Sequence, residues 1–162
     1  MAKVAINGLG RIGRAALKTI MEEPELELVA VNDIAPRDNL AYLLKYDTVY
    51  GRYDKEVVLE GEELVIDGQR MAFLQERDPA DLPWEEMDID IVFECTGFFR
   101  TAEGMDKHFQ AGAKYVILSA PAKSEGIETV VHGVNEPNKE ALMLSCASCT
   151  TNSITPVVEI ID

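Results

Sequence analysis

Ala5-Ile6-Asn7-Gly8-Leu9-Gly10-Arg11-Ile12-Gly13-Arg14 decides how the rest of this chain is read. Before it, Lys3 to Ile6 reads as a buried strand. After it, Arg11 to Met21 places Ile12, Ala15, Ala16, Thr19 and Ile20 at helical spacing, so the glycines fall at a strand-to-helix turn. In that context G-x-G-x-x-G is a dinucleotide-binding pattern. Gly8 permits the tight turn, Gly10 lets a pyrophosphate approach the backbone, and Gly13 lets the helix pack close to the strand with its N-terminus facing the anion. A second apolar run, Leu26 to Val31, is followed by Asn32-Asp33. This puts a carboxylate about twenty residues after the last glycine, where a ribose-binding acid is expected.

With 162 residues, 47% of them hydrophobic, the chain supports one well-buried core and is too short for two domains of ordinary size. Asp and Glu outnumber Lys and Arg by 29 to 15, giving a formal net charge of -14, which argues against nucleic acid or an anionic membrane as partner. No window approaches the apolar length of a membrane span, and no basic segment precedes an apolar leader, so a soluble, unexported protein is expected. Cys95, Cys146 and Cys149 make no even disulfide framework and suit a reducing compartment.

Downstream, Asn39 to Tyr46 carries Leu40, Leu43 and Leu44 on one face of a short helix. From Lys55 to Leu74 the pattern changes to short runs, Val57 to Leu59, Leu64 to Ile66 and Met71 to Phe73, broken by Gly61 and Asp67-Gly68. These predict hairpins, placed either as a surface insert or as an extension of the sheet edge. Asp78 to Trp84, with two prolines, allows only a short helix or turn. Ile89 to Glu94 reads as a central strand, with Gly97 just past the strand end where open α/β sheets bind ligands. Thr101 caps a helix running to Ala111, and Tyr115 to Leu118 is another buried strand whose end at Ser119 faces the same crevice. Val130-Val131 and Ala141 to Leu144 predict two short strands, and Cys149 to Ile160 a helix stopping at Asp162. The expected architecture is α/β: a Rossmann-type doubly wound, mostly parallel sheet with a small antiparallel hairpin insert.

A second stretch bears chemistry. Leu144-Ser145-Cys146-Ala147-Ser148-Cys149-Thr150-Thr151-Asn152 joins an apolar strand to a polar helix start. Cys149 is therefore expected near unpaired backbone N–H groups, a position that favours thiolate, and a thiolate adds readily to an aldehyde carbonyl. Ser148, Thr150 and the local amides suit a phosphate or an oxyanion. As a bare pattern, an inert buried cysteine fits Cys149 as well.

Seven segments together, Asn7 to Arg14, Val31 to Asp33, Leu43 to Asp47, Glu94 to Gly97, Ser119 to Pro121, Gly133 to Asn135 and Ala147 to Asn152, resemble the glyceraldehyde-3-phosphate dehydrogenase family, in order along the whole chain. The resemblance implies NAD-dependent oxidative phosphorylation of glyceraldehyde 3-phosphate to 1,3-bisphosphoglycerate in glycolysis, through a thioester on Cys149. It implies that Ser148 and Thr150 contact substrate or inorganic phosphate, and that Arg11 and Ile12 meet the cofactor pyrophosphate through their amides. Asp33 takes the adenosine ribose; Asn7, Gly8, Gly10, Gly13, Asn32, Arg77, Gly97 and Ser119 complete the cofactor site. It further implies a cytoplasmic homotetramer. An erythrose 4-phosphate dehydrogenase relative shares most of these motifs. For Arg77 a solvated loop charge, and for Ser119 a turn residue, are the readings that need no ligand.

The chain departs from the family pattern at Cys146, where the family usually has Asn, and at Ser153, where it commonly has a second Cys. Cys146 creates C-x-x-C, but no second Cys/His pair has zinc-binding spacing, and no metal is expected. His108 and His132 match no catalytic position and are expected to be structural or surface residues. Residues 1–148 are expected to form the NAD(P)-binding domain and 149–162 the start of a catalytic domain whose remainder lies beyond Asp162. An NAD(P)-binding module without turnover is the alternative reading. Asp33 repels a 2′-phosphate, so NAD is expected over NADP; Arg37 turning toward that phosphate would allow both.

Overall fold

The computed structural model describes residues 1–161, so the expected helix stop at Asp162 lies outside the described residues. Strand β1 (Ala2–Asn7) leads through the glycine turn into helix α1 (Arg11–Ile20) and returns as β2 (Leu26–Asn32). Helix α2 (Arg37–Lys45) and a two-stranded ribbon, β3 (Tyr46–Asp47) with β4 (Gly51–Arg52), follow. Then come β5 (Val57–Glu60), β6 (Glu63–Ile66) and β7 (Gln69–Leu74), a 3-10 turn at Pro79–Asp81, β8 (Ile91–Glu94) and α3 (Ala102–Gln110). The chain continues through β9 (Tyr115–Leu118), β10 (Glu128–Thr129) and β11 (Met143–Ser145) to α4 (Cys149–Ile161).

Nine strands form one sheet in the order β10-β11-β9-β8-β1-β2-β7-β6-β5. From β10 to β7 every neighbour is parallel, while β6 and β5 pair antiparallel beyond β7. The hairpins are thus an extension of the sheet edge rather than a separate surface insert. The connection leaving β1 goes to β2 on one side, and the strand on the other side is β8, so the order reverses at β1 and opens a crevice at the carboxyl ends of β1 and β8.

Strand β1 explains why the parallel core reads as continuous apolar sequence: both of its faces are covered. Val4 and Ile6 pack with Leu17, Ile20, Leu40 and Leu44 from α1 and α2, whereas Ala5 packs with Trp84, Ile89 and Val92 on the opposite face. Fully burying a side chain such as Leu17 contributes about 1.5–3 kcal/mol.

Three expectations are corrected. The buried stripe of α1 is Gly13, Leu17 and Ile20, while Ile12, Ala15 and Thr19 face outward. Gly13 packs because it has no side chain, and the neighbouring Ile12 is left exposed. Val130-Val131 is not a strand; the ladder lies at Glu128–Thr129, because the Val131 N–H is taken by Asn135 Oδ1 at 2.8 Å and leaves the sheet. The last strand runs Met143–Ser145, two residues later than its apolar run begins.

Candidate functional site

The crevice at the strand ends contains a cavity of about 400 Å³ whose walls include Asn7 and Gly8 from the end of β1, Asn32 and Asp33 from the end of β2, Arg77 after β7, and Thr96 after β8. Ile34, Phe98 and Phe99 add apolar surface to it. A groove of about 540 Å³ between α2 and β5, lined by Tyr42, Lys45, Tyr46 and Arg52, is larger but open and lies away from the carboxyl ends of the parallel strands. Shape and chemistry converge on the first.

The three glycines of the turn do different work. A Cβ on Gly13 would lie 1.8 Å from the Gly8 carbonyl oxygen, and one on Gly8, whose φ is +98°, would lie 2.7 Å from the Thr96 nitrogen. These two positions bring α1, the turn and the end of β8 into backbone contact. A Cβ on Gly10 would meet nothing within 4 Å, so Gly10 borders open space. Gly10 is also the N-cap of α1 and supplies no side-chain cap, and the first turn holds no acidic residue. The N–H groups of Arg11 and Ile12 accordingly have no partner among the described residues. Such amides, with the helix dipole behind them, suit an anion.

Asp33 faces the same space. Its Oδ2 accepts from the Leu9 N–H at 2.7 Å and its Oδ1 from the Ala35 N–H at 2.9 Å, which orients the carboxylate and leaves one acceptor position on each oxygen. The crevice therefore fits a dinucleotide by three observations: an uncapped helix start, room beside Gly10, and a fixed carboxylate with acceptor capacity. Arg37 does not turn toward it. Its guanidinium donates to Glu62 at 3.3 Å and stacks over the Phe73 ring at 5.8 Å.

Beneath the crevice lies a buried polar chain. Asn7 Nδ2 donates to Glu94 Oε2 at 2.7 Å, and Asn32 Nδ2 donates to Asn7 Oδ1 at 2.8 Å. Asn32 also exchanges bonds with the Glu76 backbone, donating to its carbonyl and accepting from its N–H, each at 2.8 Å. Thr96 gives Glu94 both its N–H, at 2.8 Å, and its hydroxyl. His108 Nε2 is 3.0 Å from Glu94 Oε2, and Trp84 Nε1 donates to His108 Nδ1 at 3.1 Å. His108 is fully buried and structural, as expected, while His132 is exposed.

The cysteine helix is built otherwise. Ala147 takes φ +60°, and Ser148 caps α4, its Oγ accepting from the Thr151 N–H at 3.0 Å. Asn152 Nδ2 reaches back to the carbonyls of Cys146 and Ser148, at 2.7 and 2.9 Å. Cys149 is the first residue of α4 and exposed, which removes the reading of a buried inert thiol; its N–H and that of Thr150 have no partner among the described residues. The three cysteines are free. Cys95, just past β8, differs: burial pushes its thiol up to about 11, against the opposing hydrogen bond from Ser119. Among the described residues, no three of His, Cys, Asp and Glu gather as metal ligands, and no helix is long and apolar enough to cross a membrane.

Residues 2–102 match the family described as glyceraldehyde 3-phosphate dehydrogenase, NAD binding domain. The chain belongs to this family. NAD is the cofactor of this dehydrogenase domain. The chain is 49% identical over 162 residues to glyceraldehyde-3-phosphate dehydrogenase of Mycoplasma pneumoniae, covering 99% of this chain and 48% of that protein. It is 48% identical over 163 residues to glyceraldehyde-3-phosphate dehydrogenase 2 of Bacillus subtilis, with 99% and 48% covered. With glyceraldehyde-3-phosphate dehydrogenase 1 of Kluyveromyces lactis it shares 48% over 165 residues, with 100% and 49% covered. The chain spans about half the length of the curated relatives it matches.

Of the residues singled out in the sequence, Asn7, Gly8, Gly10, Asn32, Asp33 and Arg77 line the cavity. Arg11, Ile12 and Gly13 form the helix start beside it. Gly97 sits in the exposed loop after β8, and the half-buried Ser119 follows β9 with its N–H on the Glu94 carbonyl at 3.0 Å. Cys149 and Thr150 open α4 behind the Ser148 cap, and none of the three is among the cavity walls. Glu94 was missed as an organising residue. Its signal was present: one acid closing an otherwise apolar central strand.

Proposed function

We propose that this domain holds NAD along the crevice, with the adenosine ribose on Asp33 and the pyrophosphate on the amides of Arg11 and Ile12. Asn7, Gly8, Gly10 and Gly13 shape the turn, and Asn32, Arg77, Gly97 and Ser119 form the remaining wall. The observation that carries this reading is the uncapped start of α1 beside the oriented Asp33 carboxylate. In the parent enzyme, a cytoplasmic glycolytic homotetramer on this reading, residues 1–148 are the cofactor domain and Cys149 opens the catalytic one.

The proposed reaction is oxidative phosphorylation of glyceraldehyde 3-phosphate. The Cys149 thiolate adds to the aldehyde carbon, forming a C–S bond and a hemithioacetal. NAD, when bound, would supply the hydride acceptor, so that loss of hydride from that carbon and of the hydroxyl proton would leave a thioester. A phosphate oxygen, with the anion steadied by Ser148 and Thr150, then displaces sulfur and yields 1,3-bisphosphoglycerate. His108 is not the base, since both ring nitrogens are engaged with Trp84 and Glu94. A second reading, cofactor binding without turnover in this chain, is favoured by α4, none of whose residues is buried.

Calorimetric titration tests the site: NAD binds more tightly than NADP, and Asp33→Ala loses both affinity and preference. Equal or tighter NADP binding by the unmodified chain overturns the assignment of Asp33. NADH formation from glyceraldehyde 3-phosphate and phosphate, absent in Cys149→Ser, tests the chemistry and separates the two readings.

A further inference from the structure

Glu94 is fully buried at the end of β8 and receives four donors: Asn7 Nδ2, His108 Nε2, and the Thr96 N–H and hydroxyl. A carboxylate is acceptor-only and has about four lone-pair sites, so these donors saturate it. The senses of the neighbouring groups follow. Asn7 must turn its amide nitrogen to Glu94 and its oxygen to Asn32; Asn32 must then present nitrogen to Asn7 and oxygen to the Glu76 N–H. On the other branch the Trp84 indole only donates, so His108 Nδ1 is the acceptor and Nε2 carries the hydrogen that goes to Glu94.

We infer that Glu94 is a positioning residue for cofactor binding: as the acceptor-only hub, it sets the direction of every bond in the Asn7–Asn32–Glu76 chain under the crevice and of the His108–Trp84 branch behind it. This rests on the reading of the crevice as the NAD site. Glu94 touches no cofactor. It acts by holding the amides of Asn7 and Asn32, the Thr96 turn and, through the Glu76 backbone, the segment bearing Arg77, all of which wall the cavity. Phe99, another wall residue, meets the His108 ring edge-on at 6.5 Å, so the histidine branch also supports the cavity surface.

Glu94→Gln is nearly isosteric but offers an amide nitrogen to donors. An amide at the Oε1 position faces the Thr96 N–H and loosens the turn that walls the cavity. One at the Oε2 position faces the Asn7 and His108 donors, where relieving the first conflict flips Asn7 and breaks its bond to Asn32, and relieving the second costs the Trp84 bond. Buried donors left facing donors are strongly unfavourable. Asn7→Asp combined with Glu94→Gln exchanges the two polarities. The introduced glutamine nitrogen donates to the introduced aspartate, that aspartate also accepts from Asn32, and the crevice branch regains its sense. The His108 branch stays mismatched.

The test is calorimetric titration of the 162-residue chain with NAD, with Trp84 emission recorded at each step; Trp84 is the sole tryptophan. Glu94→Gln weakens NAD binding about ten- to a hundredfold and shifts Trp84 emission. The double variant binds NAD several-fold more tightly than Glu94→Gln while keeping the shifted emission, a separation of readouts that general loss of stability does not produce. Glu94→Gln binding NAD as tightly as the unmodified chain, or a double variant binding no better than Glu94→Gln, overturns the inference. If Glu94→Gln does not fold, the double variant is compared with Asn7→Asp, where two carboxylates oppose each other, and equal NAD affinity in that pair overturns it. Asp33→Ala is the separate control: if it binds NAD as the unmodified chain does, the crevice reading itself falls, whatever Glu94→Gln does.

Discussion

The crevice floor and the cysteine helix are two regions of one chain held by opposite means. At the floor, the side-chain polar atoms of Asn7, Asn32 and Glu94 all have partners, and the three residues are themselves almost fully buried. Helix α4 buries no residue; Ile154, Val157, Val158, Ile160 and Ile161 are all exposed, and Pro156 lies inside it. Its position comes from the Ala147 turn, the Ser148 cap and the two Asn152 bonds. The floor is fixed by packing and directed hydrogen bonds together, the helix by a local hydrogen-bonded start alone. The proposed cofactor crevice and the proposed nucleophile thus rest on parts of the molecule with different structural support.

The comparison breaks most readily at Gly13. Gly13→Ala puts a methyl 1.8 Å from the Gly8 carbonyl oxygen, a clash between backbone elements that exceeds the roughly 1–3 kcal/mol of ordinary overpacking. NAD binding is lost and the thermal midpoint falls sharply; a variant that binds NAD normally would show the floor to be less rigid than described. Next is thiol reactivity. Iodoacetamide followed by peptide mapping at pH 8 labels exposed Cys149 well ahead of Cys95, whose burial disfavours the thiolate and holds the thiol up to about 11. Cys95 labelling then rises about tenfold per pH unit below that value. Because the folded thiol titrates above its ordinary value of 9.0, this group's contribution to stability is present below pH 9.0 and is lost as pH rises toward 11.

Ser148→Ala removes the α4 cap and costs about 1 kcal/mol of helix stability. It is read as faster amide exchange over residues 150–155 with NAD affinity unchanged, so a drop in affinity would couple the two regions. The smallest effect is at Ile160, which is 85% exposed: Ile160→Ser changes unfolding free energy by less than about 0.5 kcal/mol. A loss of several kcal/mol by denaturant titration would mean that α4 is packed after all.

The sheet was legible because its central parallel strands are short apolar runs, with β1 closed by Asn7-Gly8 and β2 by Asn32-Asp33, and because hairpin strands announce themselves by short runs split at Gly61 and Asp67-Gly68. What escaped has physical reasons. Hydrophobic periodicity does not see that Gly13, with no side chain, is the closest-packed residue of α1, and so it put Ile12 inside. Apolar content placed a strand at Val130-Val131, where the Asn135 side chain has taken the backbone donor of Val131 from the ladder. The β3–β4 ribbon pairs only two residues on each side, too few to leave a pattern. At the site, the glycine turn, Asp33 and Cys149 were legible from local chemistry. Glu94 showed only as a lone acid closing an apolar strand; its role depends on groups brought to it by β1 and α3.

The separation between Asn7 and Glu94 is 87 residues, whereas the β5–β6 hairpin closes over a few. Local pairings form early and distant ones must first close a long loop. On a ribosome, then, the β5–β6–β7 edge can exist as soon as Leu74 has emerged, while the floor of the crevice waits for β8 and for His108 on α3. A growing chain thus acquires the β5–β6–β7 edge before the floor of the proposed dinucleotide site, so capture on immobilised NAD would mark chains in which β1 and β8 have met.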